Sequence, residues 1–294
     1  MTMILDNQTI KLAIYHPGEI YRGSRFDWSG QIAQITYQNK YTFCTTETEY
    51  QGLLANTGSG LYNEFGIDGA LGHEDCPAEG QFHKMGVGLL TRSNMAAYQF
   101  MNTYAMQPAE IAVAFDHSSA IFRVSAPNLR GYAYQFIKTI ELTHDGFRIH
   151  YHLTNTGDRL IDTNEYIHNF IAIQGHVLDK NYVLRFPFQL DAGLFQECVN
   201  PETAVIFGPN TLKWQFTPTV PFYFSHVNPS HQPAFWEIKH LTENISIRET
   251  VDFEIQRINI WGTRHVVSPE IFYHIHLLPG QSCQWVRTYE INLL

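Results

Sequence analysis

The sequence predicts an all-β protein on three observations. Charged residues make up only 16% of the chain and aromatic residues 14%, a balance that favours many short, aromatic-rich strands over long charged helices. Apolar and polar residues alternate in several short runs, for example at 132–142 and 245–251, and a period of two residues is typical of a strand with one buried face. Turn residues separate these runs. The 294 residues show no internal repeat and no linker, so we predict a single domain over residues 1–294.

The first strands are predicted at 10–14 and 31–43, where β-branched and aromatic residues are punctuated by turns at Pro17-Gly18 and Asn39-Lys40. Between them, residues 21–30 contain two arginines, an aspartate and several aromatic residues. Arg25 and Trp28 are our candidates there for contacting a hydroxyl-rich ligand, because guanidinium donors and an indole face suit such a ligand. The alternative is an ordinary hairpin with an Arg–Asp pair at the surface.

Residues 56–88 form the least regular part of the sequence. A long polar loop in a compact sheet protein is uncommon unless it is functional or disordered, and the Phe, His and Cys content of this segment argues against disorder. We therefore expect three of its polar side chains, Glu64, His73 and Lys84, to contact a ligand.

The centre of the chain predicts consecutive antiparallel strands. An Asp-Gly turn joins two alternating runs between residues 132 and 153, which is a strong hairpin signal, and a further strand is predicted at 163–175. On that strand His168 lies between Tyr166 and Phe170 on one face. Aromatic rings pack on the C–H patches of a pyranose and imidazole can bind its oxygens, so this face suits a sugar. The alternative is a hydrogen-bonded histidine of the core.

Strands resume after a proline-rich segment. Seven prolines between residues 187 and 233 limit any helix there to one or two turns, and the alternation returns at 245–251 and 253–261. Pro269 favours an extended backbone at the residue before it and leaves Glu270 at the entrance of a strand. A carboxylate at such a position can point into a cleft.

Glu270 has the same parity as His274 and His276, so these side chains can share one face of the strand. A His-x-His pair with a carboxylate is one way to bind a metal ion, although only the two imidazoles are adjacent at the rise of a strand. A second interpretation pairs Glu270 with His168 as base and acid. Spacing alone does not decide between them, because the two residues are distant in the chain.

Composition also bounds the partners and the compartment. The formal net charge is -9 and no run of Lys or Arg is present, which argues against nucleic-acid binding. The four cysteines are far apart and lack zinc-type spacing, so free thiols in a reducing compartment are expected. The sequence shows neither a signal-peptide pattern nor an apolar run of about 18 residues, and we expect a cytoplasmic protein with no membrane partner.

Residues 168–175, together with the turn at 154–157 before them, resemble the catalytic-histidine strand of the aldose 1-epimerase (galactose mutarotase-like) family. The end of the chain resembles the closing region of that family, in a segment that starts at Trp261-Gly262 and continues through Pro269-Glu270 to a Pro-Gly turn. The resemblance covers most of the chain. It implies that His168 is the catalytic histidine and that the glutamate of the closing region is the catalytic base.

Other family features have less direct counterparts. The family's Asn-Arg pair and early histidine have no clean match, and Arg25 and His73 are the nearest candidates. Asp191 is the candidate for the family's acceptor of sugar hydroxyls.

The resemblance implies a large antiparallel β-sandwich with a concave sheet that holds the site. It also implies mutarotation of an aldose, in which Glu270 takes the proton of the anomeric hydroxyl and His168 protonates the ring oxygen, so that the ring opens, the aldehyde rotates and the ring recloses. Such a reaction needs no cofactor and no metal ion. The expected partner is a small-molecule sugar, and the expected state is a monomer or homodimer.

Four other functions remain open at this point. A hexose-phosphate 1-epimerase would use the same pair and add basic residues for the phosphate, here Arg22, Arg25, Lys84 and Arg92. A non-catalytic carbohydrate-binding protein would use the aromatic residues without a Glu–His pair. A polysaccharide-processing enzyme on a related sandwich would more often be secreted, and a metal-dependent sugar isomerase would depend on the His-x-His pair.

Overall fold

Strands make up nearly all of the regular structure in the computed structural model, which describes residues 2–49, 56–227 and 234–294. Two single-turn 3-10 helices, Ile173–Gly175 and Ala192–Leu194, complete the elements of this part of the chain. In chain order the strands are β1 (Thr2–Asp6), β2 (Ile10–Tyr15), β3 (Ile32–Tyr37), β4 (Tyr41–Thr42), β5 (Leu61–Phe65), β6 (Gln81–Lys84), β7 (Gly88–Thr91), β8 (Met106–Pro108), β9 (Ile111–Phe115), β10 (Ser119–Leu129), β11 (Tyr132–Leu142), β12 (Gly146–Asn155), β13 (Ile161–Asn169), β14 (Tyr182–Arg185), β15 (Glu197–Val199), β16 (Val205–Phe207), β17 (Thr211–Trp214), β18 (Phe222–Ser225), β19 (Ala234–His240), β20 (Ile245–Val251), β21 (Ile255–Thr263), β22 (Val266–Leu277) and β23 (Ser282–Leu293).

The strands form two large antiparallel sheets that pack face to face. The first, called the site sheet below, has the order β1-β2-β3-β5-β13-β22-β21-β18-β15, with β4 paired to β3. The second, called the back sheet, has the order β16-β17-β14-β19-β20-β23-β12-β11-β10-β9. Strands β6, β7 and β8 form a separate small sheet. The predicted all-β class and the antiparallel sandwich architecture are confirmed.

One apolar core lies between the two large sheets. In β2 the residues Ile10, Leu12 and Ile14 are buried and alternate with half-buried neighbours, as expected for a strand with one face on a core. The same core contains Phe136 of β11 and Trp285 of β23 from the back sheet. Burial of each such side chain contributes about 1.5–3 kcal/mol, so this core is the main source of stability.

Two neighbouring strands of the site sheet are buried on both faces. Strand β13 is buried from Thr163 to Asn169, and β22 from Val266 to Phe272 before it becomes exposed at His274. One face of these strands packs on the core. A second apolar cluster, formed largely by the long connections of the chain, covers the other face.

Several strands follow the predicted boundaries and others do not. The run predicted at 31–43 forms two strands, β3 and β4, and the irregular part predicted at 56–88 contains β5 and β6. Strand β20 covers the residues predicted for it, and the predicted central hairpin is formed by β11 and β12. The strand predicted at 163–175 was too long, because β13 ends at Asn169. Gln174 and Gly175 adopt left-handed backbone angles, with φ of 53° and 69°, and these angles turn the chain out of the sheet.

The only helix in the described part of the proline-rich segment is the single turn Ala192–Leu194. Pro229 and Pro233, two of the prolines expected to limit helices there, lie outside the described residues. No helix within residues 2–49, 56–227 and 234–294 is long and apolar enough to cross a membrane. All four cysteines are free thiols.

Candidate active site

The antiparallel register of β13 and β22 brings together the two residues predicted to be catalytic. Paired residues before and after this point keep one register, which sets His168 opposite Glu270. The His168 Nε2 atom lies 3.3 Å from Glu270 Oε1, a separation across which a proton can be exchanged. These two side chains are called the His–Glu pair below.

The His168 ring is held by aromatic neighbours. Phe170 stacks on it with ring centroids 4.0 Å apart, and Trp261 meets it edge-on at 5.4 Å. The Nδ1 atom is buried and has no hydrogen-bond partner in the described part of the chain. Burial and the nearby Arg25 guanidinium lower the pKa of His168 well below its ordinary value, so the resting imidazole is neutral at pH 7.

Glu270 has the opposite shift. Burial raises the pKa of Glu270 to about 8, although Arg25 and a hydrogen bond from Ser268 act in the other direction. At pH 7 the His–Glu pair therefore holds one proton. Because the two groups are in contact, that proton belongs to the pair and not to either residue alone. A pair that titrates near neutral pH suits general acid–base catalysis.

Arg25 comes from the loop between β2 and β3 and is almost fully buried, with 4% of its surface exposed. Its Nε donates to Glu64 at 2.8 Å and its Nη1 to Glu47 at 3.3 Å. The guanidinium also lies over the rings of Phe26 and Phe100, at 4.3 and 4.6 Å from their centroids. These contacts fix one positive charge beside the His–Glu pair.

Glu64 and Lys84 lie behind Arg25 and not at the surface of the cavity. Glu64 is fully buried and accepts hydrogen bonds from Arg25, from Lys84 Nζ at 3.2 Å and from the Tyr166 hydroxyl at 2.7 Å. Lys84 also donates to the backbone carbonyl of Phe65 at 2.7 Å. Both residues were predicted to contact the ligand, and the structure places them as supports of Arg25 instead.

A cavity of about 950 Å³ opens over the His–Glu pair, which is a usual size for a small-molecule site. Its wall mixes aromatic rings with hydrogen-bonding groups, as recognition of a sugar requires. Besides the pair, the wall includes Arg25, Phe100, Tyr166, Tyr223, Asn259 and Trp261.

Part of this wall was not predicted from the sequence. Arg257 and Asn259 precede Trp261 on β21 at a period of two, and all three line the cavity. The signal was present, because the intervening residues Ile258 and Ile260 are apolar and must face the core, which leaves the polar ones on the opposite face. Strand β18 also contributes wall residues, and its short aromatic sequence gave no comparable signal.

Trp28 and His73 do not reach the cavity, although both were predicted to bind the ligand. The Trp28 indole is buried and donates to the backbone carbonyl of Gly23 at 2.9 Å, so it stabilises the loop to which it belongs. His73 is buried against the rings of Phe82 and Tyr98, with centroids 4.8 and 5.6 Å away. Both side chains belong to the apolar packing that covers the site sheet.

Asp191 and the His-x-His pair also lie away from the cavity wall. Asp191 is exposed and caps a helical turn, where it accepts a hydrogen bond from the N–H of Gly193 at 2.9 Å. His274 and His276 are exposed and contact one carboxylate, that of Asp162, at 2.8 and 3.0 Å. Because β22 leaves the covered region after Phe272, these imidazoles do not share the environment of Glu270.

Another group of described side chains has ligand atoms within 4.8 Å of one another, namely His176, His240 and Glu243. None of the three lines the cavity. The two imidazole rings stack at 4.6 Å, and Nδ1 of His240 already accepts the backbone N–H of Glu243 at 3.2 Å. Stacked rings direct their nitrogens along parallel planes, so this geometry favours a hydrogen-bonded cluster over a metal site.

No protein-family model matches the sequence, and no curated protein matches it either. Solved structures do match over their whole length. An Escherichia coli protein described as a candidate aldose 1-epimerase has a TM-score of 0.63 at 11% identity, covering 100% of this chain and 99% of that one. A galactose mutarotase related enzyme from Lactobacillus acidophilus has a TM-score of 0.62 at 11% identity, covering 99% and 97%. A homologue of aldose epimerase from C. elegans has a TM-score of 0.57 at 12% identity, covering 100% of both chains.

These likenesses show that the chain has the fold of the galactose mutarotase-like proteins. The fold that the sequence resemblance implied is therefore confirmed. At 11–12% identity the likeness concerns the fold, and the activity has to be argued from the site itself.

Proposed function

We propose that this protein is an aldose 1-epimerase that interconverts the α and β anomers of an aldose. The observation that carries the proposal is the 3.3 Å contact between His168 Nε2 and Glu270 Oε1 in the wall of a large polar and aromatic cavity. The shared fold of the mutarotase-related structures supports the same activity.

Glu270 acts as the base and His168 as the acid. When the sugar binds, the single proton of the pair moves to His168 and leaves a carboxylate beside an imidazolium. Glu270 then takes the proton of the anomeric hydroxyl while His168 protonates the ring oxygen, and the C1–O5 bond breaks as the C1=O1 double bond forms. After rotation about C1–C2 the C5 hydroxyl attacks the other face of C1, and both protons return. No proton is gained or lost over the cycle.

Arg25 and Trp261 have distinct tasks in this scheme. The Arg25 charge stabilises the Glu270 carboxylate that must form, since a cation nearby favours the ionised acid. Trp261 lines the cavity beside His168 and offers an aromatic edge and face to the C–H groups of the sugar. Both residues act on the substrate or on the His–Glu pair without taking part in covalent chemistry.

An uncharged aldose is favoured over a hexose phosphate because the cations of the cavity are already paired. Arg25 contacts two carboxylates, and Arg257 contacts Asp68 at 2.8 Å. Two further basic residues that a phosphate would use are engaged elsewhere: Lys84 with a buried carboxylate and Arg92 with backbone carbonyls. A phosphate would have to displace these partners.

The proposal is tested by NMR magnetisation exchange between α and β anomers, with and without the protein, for neutral aldoses, uronic acids and hexose 6-phosphates. Faster exchange for neutral aldoses is the expected result. If the folded protein accelerates no sugar but binds one, it is a carbohydrate-binding protein and the proposal fails. An effect restricted to the phosphates would replace the proposed substrate with the charged one.

A matched pair of variants on β22 checks the residue assignment. E270Q is expected to lower the enzymatic exchange rate by about 10²–10⁴-fold, the usual worth of a general base. H276N changes an exposed residue of the same strand and is expected to leave the rate within twofold. Equal rates for both variants would remove Glu270 from the mechanism.

A further inference from the structure

The backbone pairing of β13 and β22 is interrupted where the two strands carry the His–Glu pair. Paired residues run up to Glu165 and Tyr273, and pairing resumes at Ile171 and Val267. The same register sets Asn169 opposite Pro269, which has no N–H to donate. A ladder hydrogen bond is thus unavailable beside the site.

Two side chains join the strands at this point. The backbone N–H of Asn169 donates to Ser268 Oγ at 2.9 Å, and the Asn169 side-chain amide donates to the carbonyl of Pro269 at 2.7 Å. Asn169 and Ser268 are both fully buried. They replace the missing backbone contact and link the strand of His168 to the strand of Glu270.

The direction of the Ser268 hydrogen bond follows from its partners. Ser268 Oγ carries one proton and already accepts the N–H of Asn169, so its own proton is free to be donated. The acceptor is Glu270 Oε1, at 3.1 Å. Residues 268 and 270 point to the same side of the strand, since side chains alternate with a period of two.

This hydrogen bond distinguishes the two oxygens of the Glu270 carboxyl group. Oε1 receives the Ser268 proton and also faces His168 Nε2. Among the described residues Oε2 has no hydrogen-bond partner, and Glu270 forms part of the cavity wall.

We propose that Ser268 is a positioning residue, which holds Oε1 of Glu270 so that Oε2 is the oxygen that exchanges a proton with the anomeric hydroxyl of the sugar. This inference rests on the proposed 1-epimerase activity. It assigns a role to the residue two positions before the base, next to the proline that interrupts the backbone pairing.

Ser268 also affects the proton affinity of the base. A donor to a carboxylate stabilises its ionised form, and the Ser268 hydrogen bond lowers the pKa of Glu270 against the dominant effect of burial. Removal of the hydroxyl should therefore raise that pKa. The other ionisable groups that act on Glu270 or are influenced by it come from β5, β13, β18 and the loops, and they are Arg25, Glu47, Glu64, Tyr166, His168 and Tyr223.

The test compares S268A with S268T, which restores the hydroxyl on a β-branched side chain suited to a strand. S268A is expected to lower kcat for anomer exchange by about tenfold with KM little changed, and to move the basic limb of the pH profile upward. S268T is expected to recover most of kcat and the wild-type limb. If S268T does not fold, S268C supplies a weaker donor and should fall between the wild type and S268A.

A spectroscopic readout separates this inference from the proposed function. In protein labelled with ¹³C at the glutamate side-chain carboxyl, the Glu270 signal is identified by its loss in E270Q, and it should titrate at higher pH in S268A than in wild type whether or not a sugar is turned over. Y289F serves as the control, because Tyr289 donates to Asn169 at 2.9 Å from the back sheet and does not contact Glu270; it should leave the titration unmoved.

An unchanged Glu270 titration together with S268A activity within twofold of wild type would overturn the inference, as would a folded S268T variant no better than S268A. A wild-type protein without exchange activity would instead end the proposed function. In that case a higher titration pH of Glu270 in S268A would still demonstrate the hydrogen bond. The positioning role would nevertheless be refuted, because there would be no reaction for Ser268 to assist.

Discussion

Two groups of buried charges in the described residues differ in how completely the charges are matched. The first group lies between the sheets, where Arg287 contacts Glu165 and Glu249, each at 2.7 Å. Lys138 lies 3.4 Å from Asp27 in the same interior. Each carboxylate there has a cation in direct contact, so its charge is compensated in the folded state.

The second group surrounds the cavity, and its central carboxyl group is not matched in this way. Within the described ranges no lysine or arginine forms an ion pair with Glu270, whose close polar contacts are the neutral His168 ring and the Ser268 hydroxyl. Arg25 is near, but its direct partners are Glu47 and Glu64. Matched buried charges hold the sandwich together, whereas the carboxyl group of Glu270, which has no cation in direct contact, has a pKa of about 8 and is available for proton transfer.

The largest effect is expected when the matched group loses its arginine. R287M should lower the free energy of unfolding by about 3–5 kcal/mol, because two buried carboxylates lose their cation. Urea unfolding measures the loss, while the exchange rate per folded molecule should remain within a few-fold of wild type. A loss below about 1 kcal/mol would mean that the inter-sheet charges are not essential to stability.

The next effect removes the cation of the unmatched group. R25M should lower kcat/KM for anomer exchange by about 10²-fold, since a fixed charge beside the reacting groups is lost. Glu64 keeps its hydrogen bonds from Lys84 and Tyr166, so the loss of stability should be smaller than for R287M. R22M, an exposed arginine in the same loop, is the control and should be near wild type. Equal rates for R25M and R22M would contradict the role given to Arg25.

The smallest effect concerns pH. The singly protonated His–Glu pair is the active form, so kcat/KM should fall above pH 8 as Glu270, with its pKa of about 8, loses the proton of the pair. It should also fall on the acid side, below the ordinary histidine range, where His168 becomes protonated beside a neutral Glu270. A rate that rises steadily through pH 9 would contradict this assignment.

The free energy of unfolding should also depend on pH through the carboxyl group of Glu270. Its pKa is raised from 4.5 to about 8 on folding, so its contribution to stability is present below about pH 4.5 and is lost as the pH rises through 8. E270Q should therefore unfold less readily than wild type at pH 9, with little difference at pH 4.

The local part of the fold could be predicted from the sequence. The alternation at 245–251 gave β20 with its correct limits, and the Asp-Gly turn gave the hairpin of β11 and β12. These features depend on neighbouring residues, whose periodicity and turn chemistry are written directly in the chain. The end of β13 at Asn169 could not be predicted, because the apolar run continues to Ile173 and the pairing of Ile171 depends on residues distant in the chain.

The site was predictable only where the residues themselves carried a signal. His168 and Glu270 stood out by their neighbours and by the family resemblance, whereas their contact depends on the register of two strands far apart in the chain. Trp28 and Lys84 show the opposite case. An indole and an ammonium group suit a ligand as well as they suit the interior, and only the packing decides that one bonds a backbone carbonyl and the other a buried glutamate.

The most direct test of the central claim is a double-mutant cycle on the His–Glu pair, measured by anomer exchange at pH 7 with the aldose that exchanges fastest. The effects of mutating groups that act as a unit are non-additive. H168N and E270Q should therefore each remove most of the enzymatic rate, and the double variant should be no slower than the slower of the two single variants. Wild-type rates in both folded single variants would contradict the account.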